Sequence, residues 1–161
     1  MTVAAQDLEV LAEQLGRPAR GVVRVAARCV CGRPTVAMTA PRLDDGTPFP
    51  TVYYLTCPPA VAAVSALEAT GVMKQLTGRL ASDDDLRAGH ERAHRAYLAD
   101  REALGHVPEI GGISAGGMPD RVKCLHVLVA HALAAGPGVN PIGDGTLALI
   151  AEEWRPDRCR C

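Results

Sequence analysis

The segment Arg121–Ala135, RVKCLHVLVAHALAA, most limits how this chain can fold, because as a helix it presents apolar side chains on nearly every face. Such a helix has to be surrounded by protein or by lipid. Its longest apolar stretch, Val127–Ala135, is interrupted by His131 and falls far short of the roughly 20 residues a membrane span needs. The segment is therefore expected at the centre of a protein core, and no membrane association is expected. With 161 residues, 48% of them hydrophobic, the chain has enough apolar surface to build one such core. Phe49 and Trp154 are single copies and only Tyr53, Tyr54 and Tyr97 join them as aromatics, so the core must rest on Ala, Val and Leu.

The rest of the chain supplies strands first and helices afterwards. Leu8, Leu11 and Leu15 make one apolar stripe on a short helix over Asp7–Leu15 that Gly16 and Pro18 stop. The β-branched run from Arg20 to Arg28 predicts a strand, Cys29-Val30-Cys31-Gly32 a turn, and Pro34–Thr39 its hairpin partner. Thr51–Thr56 predicts a third strand. Pro58 and Pro59 suit the first turn of a helix running to Gly71, and a second short helix follows over Val72–Leu80. Ser82, followed by Asp83, Asp84 and Asp85, predicts the capped start of a long amphipathic helix ending near Leu104. Gly105–Asp120 and Gly136–Gly143 are expected to be loops, Asp120 to cap the central helix, and Thr146–Trp154 to form a last helix. The reading is a single α+β domain over residues 1–161. A small, mainly antiparallel three-stranded sheet packs against about five helices, followed by a short cysteine-bearing tail over 155–161.

Charge removes one class of partner. The net charge of -1 offers no bulk attraction to a phosphate backbone, so nucleic acid is not expected. Residues 1–16 carry Asp7, Glu9 and Glu13 and show neither the basic start nor the apolar run of a signal peptide, which points to the cytoplasm. In that compartment six cysteines argue for metal ligation, catalysis or packing rather than a disulfide framework.

Several short motifs, in order, carry a resemblance. They are Pro48-Phe49-Pro50-Thr51, Tyr54-Leu55-Thr56-Cys57-Pro58, Leu67-Glu68 with Gly71, Tyr97 with Arg101, Lys123-Cys124-Leu125-His126 with His131, and Asn140-Pro141 with Gly143. Together they resemble, over nearly the whole chain, domain-of-unknown-function family 501, a bacterial and chiefly actinobacterial family. The resemblance implies which residues matter and assigns them no activity.

A thiolate metal site needs three or four ligands converging on one point. Cys159 and Cys161 lie in a tail free to curl, while Cys57 at a strand-to-helix junction and Cys124 near the start of the central helix offer fixed positions. These four are the expected metal ligands, for zinc or an iron-sulfur cluster, with Cys29 and Cys31 as a further pair beside Gly32. Cys124 and His131 share a stripe of the central helix but stand about 10 Å apart along it, and Cys124 and His126 point to opposite sides, so neither histidine is expected as a co-ligand of Cys124. The alternative is that these cysteines are packed as small hydrophobes.

A different class of function remains open, an enzyme or anion-binding module around Gly111–Gly117. Lys123 and His126 would share one helix face and Arg101 would approach from the long helix, holding a small phosphate-type anion. No Gly-Lys-Ser/Thr closes that loop as a P-loop would. A nucleophilic Cys57 or Cys124 activated by His126 or His131 is a variant of this reading. A third class is a protein adaptor with no metal, using the charged face of the long helix, Asp85, Glu91, Arg92, Arg95 and Glu102, which reads equally as a solvated face.

Overall fold

In a computed structural model of the chain, which describes residues 2–161, the β-branched run after Gly21 forms strand β1 (Val22–Arg28), followed by β2 (Pro34–Thr39) and β3 (Tyr53–Leu55). They make an antiparallel three-stranded sheet in the order β1-β2-β3, with Val25 opposite Ala37 and Ala37 opposite Tyr54. Every residue of β2 is buried, so both of its faces are covered. Helices α1 (Ala5–Leu15) and α5 (Leu125–Ala135) are among the elements packed on it. Around them lie α2 (Pro58–Glu68), α3 (Val72–Ser82), α4 (Asp84–Leu104) and α6 (Pro141–Leu149), with one 3-10 turn at Pro108–Ile110. The fold is α+β, as the sequence pattern predicts, with six α-helices among the described residues. None of the helices among those residues is long and apolar enough to cross a membrane.

The all-apolar segment does occupy the centre: Leu125, Leu128, Val129, Ala130, His131 and Ala132 of α5 are buried. The helix starts at Leu125 rather than Arg121, and the cause is local. The N–H groups of Lys123 and Cys124 both donate to the Gly116 carbonyl, at 2.7 and 3.3 Å, which holds these residues extended against the preceding loop. Gly117 sits there at φ +92°, and a Cβ on it would meet the Arg121 carbonyl at 2.8 Å, so the glycine allows the two stretches to touch. Asp120 consequently caps nothing.

Two other boundaries move for capping reasons. Asp83, not Ser82, caps α4, its carboxylate accepting the Leu86 N–H at 3.0 Å. Helix α6 begins at Pro141 because Asn140 caps it, accepting the Gly143 N–H at 2.9 Å, with proline at the first position where no N–H is needed. The expected helix over Thr146–Trp154 is therefore the end of α6 and the turns after it. A Cβ at Gly143 would collide with the Leu128 carbonyl, which explains how closely α5 and α6 approach.

The polar residues of the resemblance motifs mostly serve this core. His131 stacks on Tyr53 with centroids 5.5 Å apart, meets Tyr97 edge-on at 5.2 Å, and accepts at Nδ1 from the Asn140 amide at 3.1 Å. The Tyr97 hydroxyl accepts the Val52 N–H at 2.7 Å. Arg101 is buried, and its guanidinium donates to the carbonyls of Pro50 (3.0 Å) and Ile110 (2.7 Å), tying the approach to β3 onto α4.

Candidate metal centre

Four thiols meet where the β1–β2 turn faces the segment after α6. Cys29 follows β1 directly, with its N–H donated to the Arg33 carbonyl at 2.9 Å, and the Gly32 N–H returns to the Cys29 carbonyl at 2.8 Å. Gly32 adopts φ +91°, a conformation that closes this turn without strain only for glycine, and the turn presents the sulfurs of Cys29 and Cys31 together. On the other side Trp154, fully buried, roots the following segment in the core. Arg155 pairs with Asp157 at 2.6 Å, and the Arg158 guanidinium donates to the Glu152 carbonyl at 3.0 Å. The Val30 N–H donates to the Pro156 carbonyl at 2.8 Å, stitching the two parts to each other. The Sγ atoms of Cys29, Cys31, Cys159 and Cys161 consequently all lie within 4.8 Å of one another.

Crowding shapes their acidity. The Arg33 N–H and the thiol of Cys159 stabilise a thiolate on Cys31 and bring it down to about 7. Burial and the neighbouring thiols of Cys29, Cys31 and Cys57 push Cys161 well above the ordinary thiol value. At Cys159 the Cys161 N–H works downward, but the Cys31 thiol, desolvation within the cluster and the Cys29 thiol together outweigh it, and it too is raised. One negative charge forms easily in this cluster and further ones repel it, which is the situation a bound cation relieves.

The structure distributes the expected ligands between two places. Cys159 and Cys161 sit beside Cys29 and Cys31, the further pair next to Gly32, and not beside Cys124. Cys57, fully buried at the N-terminus of α2, has its Sγ 3.8 Å from that of Cys161 and adjoins the cluster from the core side. Cys124 belongs to a second group, with Glu68 and His126.

In that second group Cys124 precedes α5 in an extended conformation, φ -146° and ψ 113°, so the helical rule separating it from His126 does not apply. Its Sγ is 3.9 Å from His126 Nδ1, which is itself 3.1 Å from Glu68 Oε1. Burial raises the Cys124 thiol, but His126 and the Val127 N–H outweigh it and leave it below its ordinary value. His126 is raised, by Cys124 first and then by Glu68, against the effect of burial. A cavity of about 380 Å³ lies alongside, lined by Cys124, His126, Val127, Val61 and β3 with its flank.

The three residues expected around an anion are not gathered. Arg101 is committed to backbone carbonyls inside the core, His126 lines the cavity just described, and Lys123 lines another with Ile113–Met118. Glu68 is the participant that reading residue by residue overlooked. Its signal was its place among the motifs of the resemblance, and the structure puts it in the last turn of α2, where it accepts the Leu125 N–H at the start of α5.

A model of the family described as "Protein of unknown function (DUF501)" matches residues 25–148. The match contains Cys29, Cys31, Cys57, Glu68, Cys124 and His126 and stops before Trp154, Cys159 and Cys161. No curated protein and no solved structure matches the chain.

Proposed function

The chain belongs to the DUF501 family, whose description assigns no reaction, and we propose that it is a metal-binding protein that holds one zinc ion on Cys29, Cys31, Cys159 and Cys161. The observation carrying this reading is the convergence of the four Sγ atoms within 4.8 Å. Zinc-sulfur bonds of about 2.3 Å in a tetrahedron set the sulfurs about 3.8 Å apart, so the thiols need move only slightly to enclose an ion. An iron-sulfur cluster would have to fit several irons and inorganic sulfides among the same four atoms, and these sulfurs stand too close together for that. Four thiolates leave no open position, the pattern of a structural rather than catalytic ion.

In this reading zinc fastens the segment Arg155–Cys161 to the β1–β2 turn. Zinc also takes up the charge that the crowded thiols cannot carry alone, and binding releases their protons. Cys57 is a buried neighbour whose thiol donates to the Cys161 thiolate rather than a fifth ligand. The test is elemental analysis and an absorption spectrum of protein purified without oxygen. A colourless protein whose zinc falls by one equivalent in Cys29→Ser/Cys31→Ser supports the proposal. Stoichiometric iron with visible absorption, or zinc content untouched by those substitutions, refutes it.

A further inference from the structure

We propose that Glu68, Cys124 and His126 form a second metal site, a three-ligand site for a divalent ion of the zinc type whose fourth position takes a water or small anion from the adjoining cavity. Three electron-pair donors of different kinds converge here: His126 Nδ1 lies 3.1 Å from Glu68 Oε1 and 3.9 Å from Cys124 Sγ, and all three atoms fall within 4.8 Å of one another. Bonds of about 2.0–2.3 Å to nitrogen, oxygen and sulfur give tetrahedral edges of about 3.3–3.6 Å, close to what these side chains already span.

The outer partners are those a metal site requires. His126 Nε2 lies 3.0 Å from Ser65 Oγ, and with the proton on Nε2 donated to that hydroxyl the Nδ1 lone pair faces Glu68 and Cys124. The second carboxylate oxygen of Glu68 accepts the Leu125 N–H at 3.0 Å, which orients Oε1 inward. Glu68 and His126 have side chains 20% and 25% exposed, screened from bulk water yet reachable. Carboxylate and thiolate together balance a divalent charge.

The same geometry argues against an activated-thiol relay. In a Cys-His-acid relay the thiol and the carboxylate address opposite nitrogens of the imidazole, so that one takes the proton while the other holds the ring. Here both face Nδ1, and the far nitrogen faces a serine. Two groups on one nitrogen make a chelate, not a relay. Cys124 and His126 line the cavity of about 380 Å³ that also exposes Tyr54 and Val61, which gives an exogenous ligand room beside the ion.

Cobalt(II) titration of the full chain carrying Cys29→Ser/Cys31→Ser/Cys159→Ser/Cys161→Ser tests this site independently of the four-cysteine one. One equivalent is expected to bind with a charge-transfer band of one-thiolate intensity. Cys124→Ser added to that background is expected to abolish the band, and Ser65→Ala to weaken cobalt binding by about tenfold while keeping it. Azide is expected to shift the visible cobalt bands by entering the fourth position. A background chain that shows no thiolate band, or a band that persists in Cys124→Ser, overturns the site. An azide titration without a spectral shift overturns its open position.

Discussion

The two sulfur-bearing clusters are assembled in opposite ways. The four-cysteine cluster lies at the rim, with Cys31, Cys159 and Cys161 exposed, and joins a turn to a segment about 130 residues away, as the numbering of Cys29 and Cys159 shows. The Glu68–Cys124–His126 cluster is half-buried, bridges the last turn of α2 and the first of α5, and opens on a cavity. A closed set of identical ligands across a long loop suits fastening, since fixing distant chain segments is where a cross-link stabilises most. A mixed set with space beside it suits exchange of a ligand.

The difference can be broken most forcefully at Trp154. Trp154→Ala removes the buried root of the segment bearing Cys159 and Cys161, and should cost about 3–5 kcal/mol in urea denaturation. Zinc affinity at the thiolate site should fall with it while cobalt binding at the mixed site persists. Equal loss at both would mean the clusters are not separable. Chelation is next in size. With free zinc a hundredfold above its dissociation constant, stripping it should remove about 2.7 kcal/mol of stability, and Cys29→Ser/Cys31→Ser should show no such zinc dependence.

Acid titration sharpens the contrast between metal and core. Burial lowers His131, and also His90, below the ordinary histidine value, so the folded chain binds fewer protons than the unfolded one. Their contribution is complete above the unfolded value near 6.5 and is lost as pH falls from there toward the depressed folded values, at up to about 1.4 kcal/mol per pH unit for each histidine. His131→Gln, measured with chelator present to silence the metal sites, should flatten that slope. An unchanged slope would remove the buried histidine from the account. The smallest effect is expected at Cys57→Ala, about 1 kcal/mol of stability with zinc retained at full stoichiometry. Loss of zinc there would make Cys57 a ligand.

Much of the fold was legible because the deciding signals are local. β-branched runs, proline at helix starts and an all-apolar helix report directly on strand, boundary and centre. The misplaced starts of α5 and α6 came from contacts that periodicity does not contain: the Gly116 carbonyl holding Lys123 and Cys124 extended, and Asn140 doubling as helix cap and partner of His131. For the candidate site, the sequence draws attention to the cysteines, but not to which of them the fold brings together. Pairing Cys29 and Cys31 with Cys159 and Cys161 depends on Trp154 and the Val30–Pro156 hydrogen bond, and pairing Cys124 with His126 depends on where a helix begins. Neither is written in residue spacing.

The claim on which the account rests is that four thiolates from two remote parts of the chain share one ion. X-ray absorption at the zinc edge, on zinc-loaded Cys124→Ser protein so that the mixed cluster stays silent, reads this directly. Four sulfur neighbours at about 2.3 Å with no metal-metal scattering is the predicted result. A shell of mixed nitrogen and oxygen, or a second metal within the cluster, would contradict it.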